Sequence, residues 1–217
     1  MSEWWSYDFS DFLMYSLRSY LRLIQAYNKS WEPLPVFASM IGIGIAVSLW
    51  RGSLWRGAAL ALASAWAFVG VAFFWQRFSS IHWGMHYAAT AFMVEALLLA
   101  LVAWQSRPLD IVPRQRAAAM VFALCGLALP SIGMFTGRQW NQLESFGMTA
   151  DPTALATIAW LALAPGRWRA LLLPVPVAWC LFSAATWCTL RAWDWIIVTC
   201  ALTLALAVSF VRPAAAR

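Results

Sequence analysis

Charge is what this sequence lacks most. Asp, Glu, Lys and Arg make up only 11% of it, against 63% apolar residues, whereas soluble domains carry roughly 25% charged and about 45–50% apolar residues. That scarcity excludes an ordinary water-soluble domain, and the surplus apolar surface must face lipid. Histidine is reduced to His82 and His86, too few to complete a zinc site of about three or four ligands without carboxylates or a methionine. Cys125, Cys180, Cys188 and Cys200 all fall within apolar runs and form no CxxC pair, so they read as small hydrophobes. No Walker loop, GxGxxG, GxSxG or HExxH occurs, which removes the chemistries those motifs carry. A net charge of +6 could suggest nucleic acid. The arginines, however, stand singly between apolar runs and form no basic stripe, so no nucleic-acid partner is expected. Residues 1–28 lack a basic start, an apolar centre and a small-residue cleavage site, so no cleaved leader is expected.

What the sequence has in abundance is apolar length. A spanning helix needs about 20 apolar residues. Seven segments qualify or come close: 34–50, 56–75, 83–104, 116–135, 152–164, 168–190 and 193–211. The prediction is an all-α polytopic transmembrane bundle of about seven spans, or six if the short fifth segment is re-entrant. The plainer alternative for that segment is a short helix shielded by its neighbours, because lipid does not tolerate irregular backbone. Many of the sixteen tryptophans sit at the ends of these runs, as interfacial belts require. The predicted organisation is an N-terminal segment over 1–32, one helical membrane domain over 33–211 and a short tail over 212–217.

With seven spans, six basic residues fall on the N-terminal side (Arg18, Arg22, Lys29, Arg77, Arg138, Arg191) and nine on the other. The Lys/Arg bias then sets the second side as cytoplasmic. The expected location is a bacterial inner membrane, with the N-terminus outside and the C-terminus inside. Seven of the nine acids, including Glu32, Glu144, Asp151 and Asp194, sort to the outer side. Ahead of the first span, Phe9, Leu13, Leu17, Tyr20, Ile24 and Tyr27 recur at steps of three and four, a helical stripe. Ser10 is its expected N-cap and Asp11 opens the helix. The reading is an amphipathic helix lying in the membrane interface, or alternatively one packed over the bundle as a lid.

Four constellations could carry chemistry. His82 and His86, four apart, would share one helical face and could bind a metal or haem iron. Their plainer reading is hydrogen bonding to headgroups or loop carbonyls. Glu95 lies mid-span, where acids are costly and often functional. Half a turn from the histidines, it needs a partner on another helix or must keep its proton. Arg77 and Arg138 could hold a phosphate or carboxylate, with Glu144 as base or as an internal counter-charge. Asp151-Pro152 reads as an N-cap followed by proline at the first helical position, with no further role.

Three stretches carry a resemblance: Met1-Ser2-Glu3-Trp4-Trp5-Ser6-Tyr7 with Ser10-Asp11-Phe12-Leu13; Phe74-Trp75-Gln76-Arg77-Phe78 with Ile81-His82-Trp83; and Gly137-Arg138 with Phe146-Gly147 and Asp151-Pro152-Thr153-Ala154. Over most of its length the chain resembles the bacterial family designated domain of unknown function 6064. The resemblance implies a small polytopic membrane protein and assigns no residue a role.

The reading that fits best is a small-solute or ion binding or transport component. Its outer vestibule would comprise Arg77, His82, His86, Arg138 and Glu144, with Glu95 inside the membrane. The rivals are a metal- or haem-binding subunit of a redox complex at His82 and His86, and an intramembrane enzyme acting on lipid headgroups. Membrane lipids are the expected partners, together with a membrane-protein partner or a second copy.

Overall fold

The computed structural model describes residues 13, 15–52, 55–105, 113–164 and 166–210, and among them every regular element is helical. Helix α1 spans Leu17–Ser30 and α2 spans Leu34–Arg51. Helix α3 (Trp55–Phe68) continues as a π-turn, Val69–Trp75, and α4 is Met85–Gln105. Helix α5 (Pro113–Ala123) runs on through a π-turn and a 3-10 stretch to Thr136. Then come α6 (Ala150–Leu161), α7 (Gly166–Leu172), α8 (Pro174–Thr189) and α9 (Asp194–Phe210). The break between α7 and α8 falls at Leu173, where Pro174 and Pro176 remove backbone donors from the ladder.

Each of the seven predicted apolar segments is helical. Four helices are long and apolar enough to cross a membrane: Leu34–Arg51, Arg56–Ser80, Met85–Trp104 and Gly166–Thr189. Arg116–Ala128 and Asp194–Phe210 are shorter apolar helices. Outward-facing side chains on α2 and α4 are themselves apolar, among them Phe37, Met40, Ile41, Val94, Leu97 and Leu101. A water-facing surface would not carry such a continuous patch.

Helix α6 is the axis of the fold. Every one of its residues is buried, enclosed by α3, α5, α8 and α9. Gly126 permits the closest approach. A Cβ there would sit 2.8 Å from the Cβ of Ala156, so only glycine lets α5 and α6 touch at this level. The aspartate and threonine side chains of α6 are hydrogen-bonded locally or across the interface. Thr153 and Thr157 return hydrogen bonds to carbonyls four residues back, and Thr157 accepts the Trp66 indole N–H at 2.8 Å. Asp151 of α6 lies beside Asp194 at the start of α9, while the Ile158 carbonyl accepts from Ser209 near the end of α9. The short helix therefore runs in the same direction as α9, and all its residues are buried.

Helix α1 begins later than its stripe implies. Ser16 is its N-cap, accepting the Ser19 N–H. The expected cap Ser10, with Phe9 and Asp11, lies outside the described residues. From Leu17 onward the stripe holds: Tyr20, Ile24, Tyr27 and Asn28 are buried, and Arg18, Arg22 and Lys29 are exposed.

Candidate functional site

Helix α1 lies across the connection 137–149, and its buried face meets polar groups there. Tyr20 donates its hydroxyl to Glu144 Oε1 at 2.8 Å, and Tyr27 donates to the Met148 carbonyl. Asn28 Nδ2 donates to the carbonyls of Asn141 and Leu143, both at 2.9 Å. Gln25 exchanges hydrogen bonds with Gln139 and Gln142. The lid alternative for α1 thus describes its packing. Gly147, in the left-handed region at φ 74°, turns the chain into α6, and its N–H is held by Thr153 Oγ1 at 2.9 Å. A non-glycine residue would be strained at that φ. This turn sets Glu144 beside the first turn of α6.

The first turn of α6 carries a dense set of polar contacts. Asp151 is buried, and its carboxylate accepts three hydrogen bonds from α8: Trp179 Nε1 at 2.7 Å, Ser183 Oγ at 2.5 Å and Trp187 Nε1 at 3.2 Å. Its role is not the N-cap the sequence suggested. Thr149 is the residue at that position, and the Asp151 side chain points across to α8. The three donors sit at steps of four along α8, so they form one stripe facing α6. Trp187 does more than donate. Arg138 lies over its ring, 4.8 Å from the centroid, and Tyr20 meets it edge-on. Arg138 also forms a 2.6 Å ion pair with Asp194.

Glu144, Asp151, Asp194 and Arg138 together line a cavity of about 50 Å³, with Cys125, Pro152, Leu155 and Val198 also on its wall. That volume holds a few water molecules or one small ion. Burial raises the Glu144 carboxyl well above the usual range. Asp151 and Asp194 add to the rise, and the Tyr20 hydrogen bond and Arg138 partly oppose it. The first cause is burial, which disfavours the charged form, and the like charge of neighbouring carboxyls acts in the same direction.

The structure brings some of the predicted site residues together and separates others. Arg138 and Glu144 share this cavity. Arg77 lies outside its lining and donates to Ser30 Oγ at 3.2 Å, so the two arginines engage different partners and do not form one anion clamp. His82 precedes α4, in the turn before Met85. The helical spacing assumed for the His82–His86 pair therefore does not apply. His82 Nδ1 accepts the Gly84 N–H, and His86 Nδ1 faces the Trp83 carbonyl at 3.0 Å. Among the described residues, no three His, Cys, Asp or Glu side chains are grouped to hold a metal. Glu95 is buried in α4, and neither of its oxygens has a hydrogen-bond partner. It does not line this cavity.

Sequence reasoning did not single out Trp179, Ser183 or Trp187. The legible signal was spacing: three side chains with polar hydrogens at steps of four within one apolar helix. It also passed over Asn28, and it placed Tyr20 only in the apolar stripe of α1.

A family profile described as a family of unknown function, DUF6064, matches residues 17–217. No curated protein and no solved structure matches the chain. The chain therefore belongs to the DUF6064 family.

Proposed function

We propose that this DUF6064 member is a small-solute or ion-binding component of a bacterial inner membrane, and that the cluster around Asp151 holds an exchangeable proton. The observation carrying this reading is the charge imbalance of the small cavity, where Glu144, Asp151 and Asp194 face Arg138 alone. A structural salt bridge needs one acid for one base. The two further carboxyls, Glu144 and Asp151, are costly to bury even where Tyr20 and the α8 donors hydrogen-bond them. Buried acids in membrane helices commonly lie on ion and proton routes. Glu95 is a second carboxyl of the same reading, away from the cluster.

The proton on Glu144 has a measurable consequence. Its folded form keeps the proton at pH values where the unfolded chain has lost it, so the native state binds more protons. Stability should then fall as pH rises from the ordinary carboxylate range to the raised value. The groups facing Glu144 are Tyr20 from α1, Arg138, Asp151 from α6 and Asp194 from α9. Thermal unfolding of purified protein across that window should show the slope, and Glu144→Gln should flatten it. Proton-coupled solute flux in liposomes should fall with the same variant. An unchanged pH slope would remove the proton from Glu144, and flux unchanged by Glu95→Gln would remove Glu95.

The finer topology belongs to the same reading: seven spans, α1 in the outer interface, a single helical domain over 33–211, and membrane lipids as partners. The nine-to-six basic bias supports it. A cysteine probe at Ser79 should label from outside and one at Ser106 from inside. The reverse pattern would invert the orientation.

A further inference from the structure

A cleft of about 470 Å³ lies between α4 and α8, and it shares no lining residue with the carboxyl cavity. It is within the size range of small-molecule sites, about 300–1,000 Å³. Ala88 and Ala91 of α4 and Val175 and Ala178 of α8 line its two sides, and all four keep accessible surface. Phe92 and Trp179 also line it, meeting edge-on with ring centroids 5.7 Å apart. No lining residue is charged. Trp179 carries a polar hydrogen, but its Nε1–H is donated to Asp151. Tyr87, largely exposed, holds the other hydroxyl or N–H among the lining side chains. Both helices are long and apolar enough to cross a membrane. On α4 the lining runs from Met85 to Phe92, a rise of about 10 Å. That fits within one leaflet, half of the roughly 30 Å hydrocarbon core. Trp83 and Tyr87, exposed around the start of α4, have the character of headgroup-level aromatics.

We propose that this cleft binds one acyl chain of a membrane phospholipid, an inference that rests on the membrane reading above and not on the proton at Glu144. Three observations select the occupant. The wall is apolar and uncharged, so it recognises a hydrocarbon chain and offers a polar ligand no partner for what it would lose from water. The cleft lies between two helices of spanning length, where side chains without a neighbour forfeit their dispersion contacts and the surrounding fluid is lipid. It is also too small for a second copy of the chain. Eleven residues line it, whereas a stable protein interface takes about 20–30 residues a side. A chain seated here packs on the ring of Trp179, whose N–H is held by Asp151. It therefore backs the donor stripe that α8 presents to α6.

Photolabelling of the full purified chain in nanodiscs tests it, with phosphatidylcholine carrying a diazirine on its acyl chain as the probe. Val175, in the cleft, should be labelled about tenfold more than Val94, a like side chain facing outward on α4. Tenfold corresponds to about 1.4 kcal/mol of additional packing. Ala91→Phe and, from the opposite side, Ala178→Leu add volume at accessible positions and should bring label at Val175 down to the level of Val94. The labelling of the unaltered protein decides the question by itself if either variant folds poorly. Equal labelling of Val175 and Val94, or label at Val175 unmoved by both folded variants, would overturn the proposal. So would a disulfide-linked dimer forming in the bilayer through Ala91→Cys, with Cys188 and Cys200 replaced by serine, since that would give the cleft to a second copy. Label at neither valine would remove the membrane location as well. Ala91→Phe and Ala178→Leu should leave the pH slope assigned to Glu144 intact, so failure of the acyl-chain site and failure of the proton reading are separately visible.

Discussion

Asp151→Leu should lower the thermal unfolding midpoint by on the order of 10 °C, the largest effect of any single substitution in the cluster. The leucine fills the volume but leaves Trp179 Nε1, Ser183 Oγ and Trp187 Nε1 without their acceptor. An orphaned buried donor costs about 1–3 kcal/mol. Three of them, partly relaxed, cost about 4 kcal/mol, and each kcal/mol shifts the midpoint of a chain this size by about 2–4 °C. Asp151→Asn should cost less, since one amide oxygen still accepts while the NH₂ confronts a donor. The two variants ranked in that order, by circular dichroism or a thiol-reactive unfolding assay on solubilised protein, would confirm the carboxylate as the joint between α6 and α8. If Asp151→Leu matched the wild type, the three hydrogen bonds would contribute nothing and the site would lose its centre.

Arg138→Met should destabilise the fold by about 2–3 kcal/mol and abolish proton-coupled flux. The guanidinium pairs with Asp194 and stacks on Trp187, with side chains only 11% and 16% exposed for Arg138 and Asp194. Removing one partner of a fully buried pair costs about 3–5 kcal/mol, reduced here because the pair is partly exposed. The larger consequence is electrostatic. Without Arg138, the carboxyls of Glu144, Asp151 and Asp194 face one another with no counter-charge. Adding Asp194→Asn to Arg138→Met should therefore recover part of the lost stability, and a double-mutant cycle reads the coupling directly. Arg138→Lys should fall between, since lysine keeps the charge but loses the planar stack and the fork. A double variant no more stable than Arg138→Met alone would show that the pair is incidental to the cluster.

Much of the molecule was readable from local pattern. The apolar runs located seven helical segments, because the length and hydropathy of a helix are properties of contiguous residues. The stripe through Leu17, Tyr20, Ile24 and Tyr27 located the buried face of α1 for the same reason. The sequence also named Arg138 and Glu144, which line one cavity. Partners were a different matter. Asp151 looked like a helix cap because a cap is a local event, yet its donors lie 28 to 36 residues away on α8. Glu144 meets Tyr20 across 124 residues. His82 and His86 have helical spacing, but the helix starts only at Met85, so their shared face does not exist. Arg77 and Arg138 looked equivalent until packing gave one a serine and the other an aspartate. Hydropathy alone determined which segments are helices. Only tertiary packing decided which carboxyl meets which donor. Inside an apolar bundle those choices follow from which helix faces touch, and no contiguous stretch of residues encodes that.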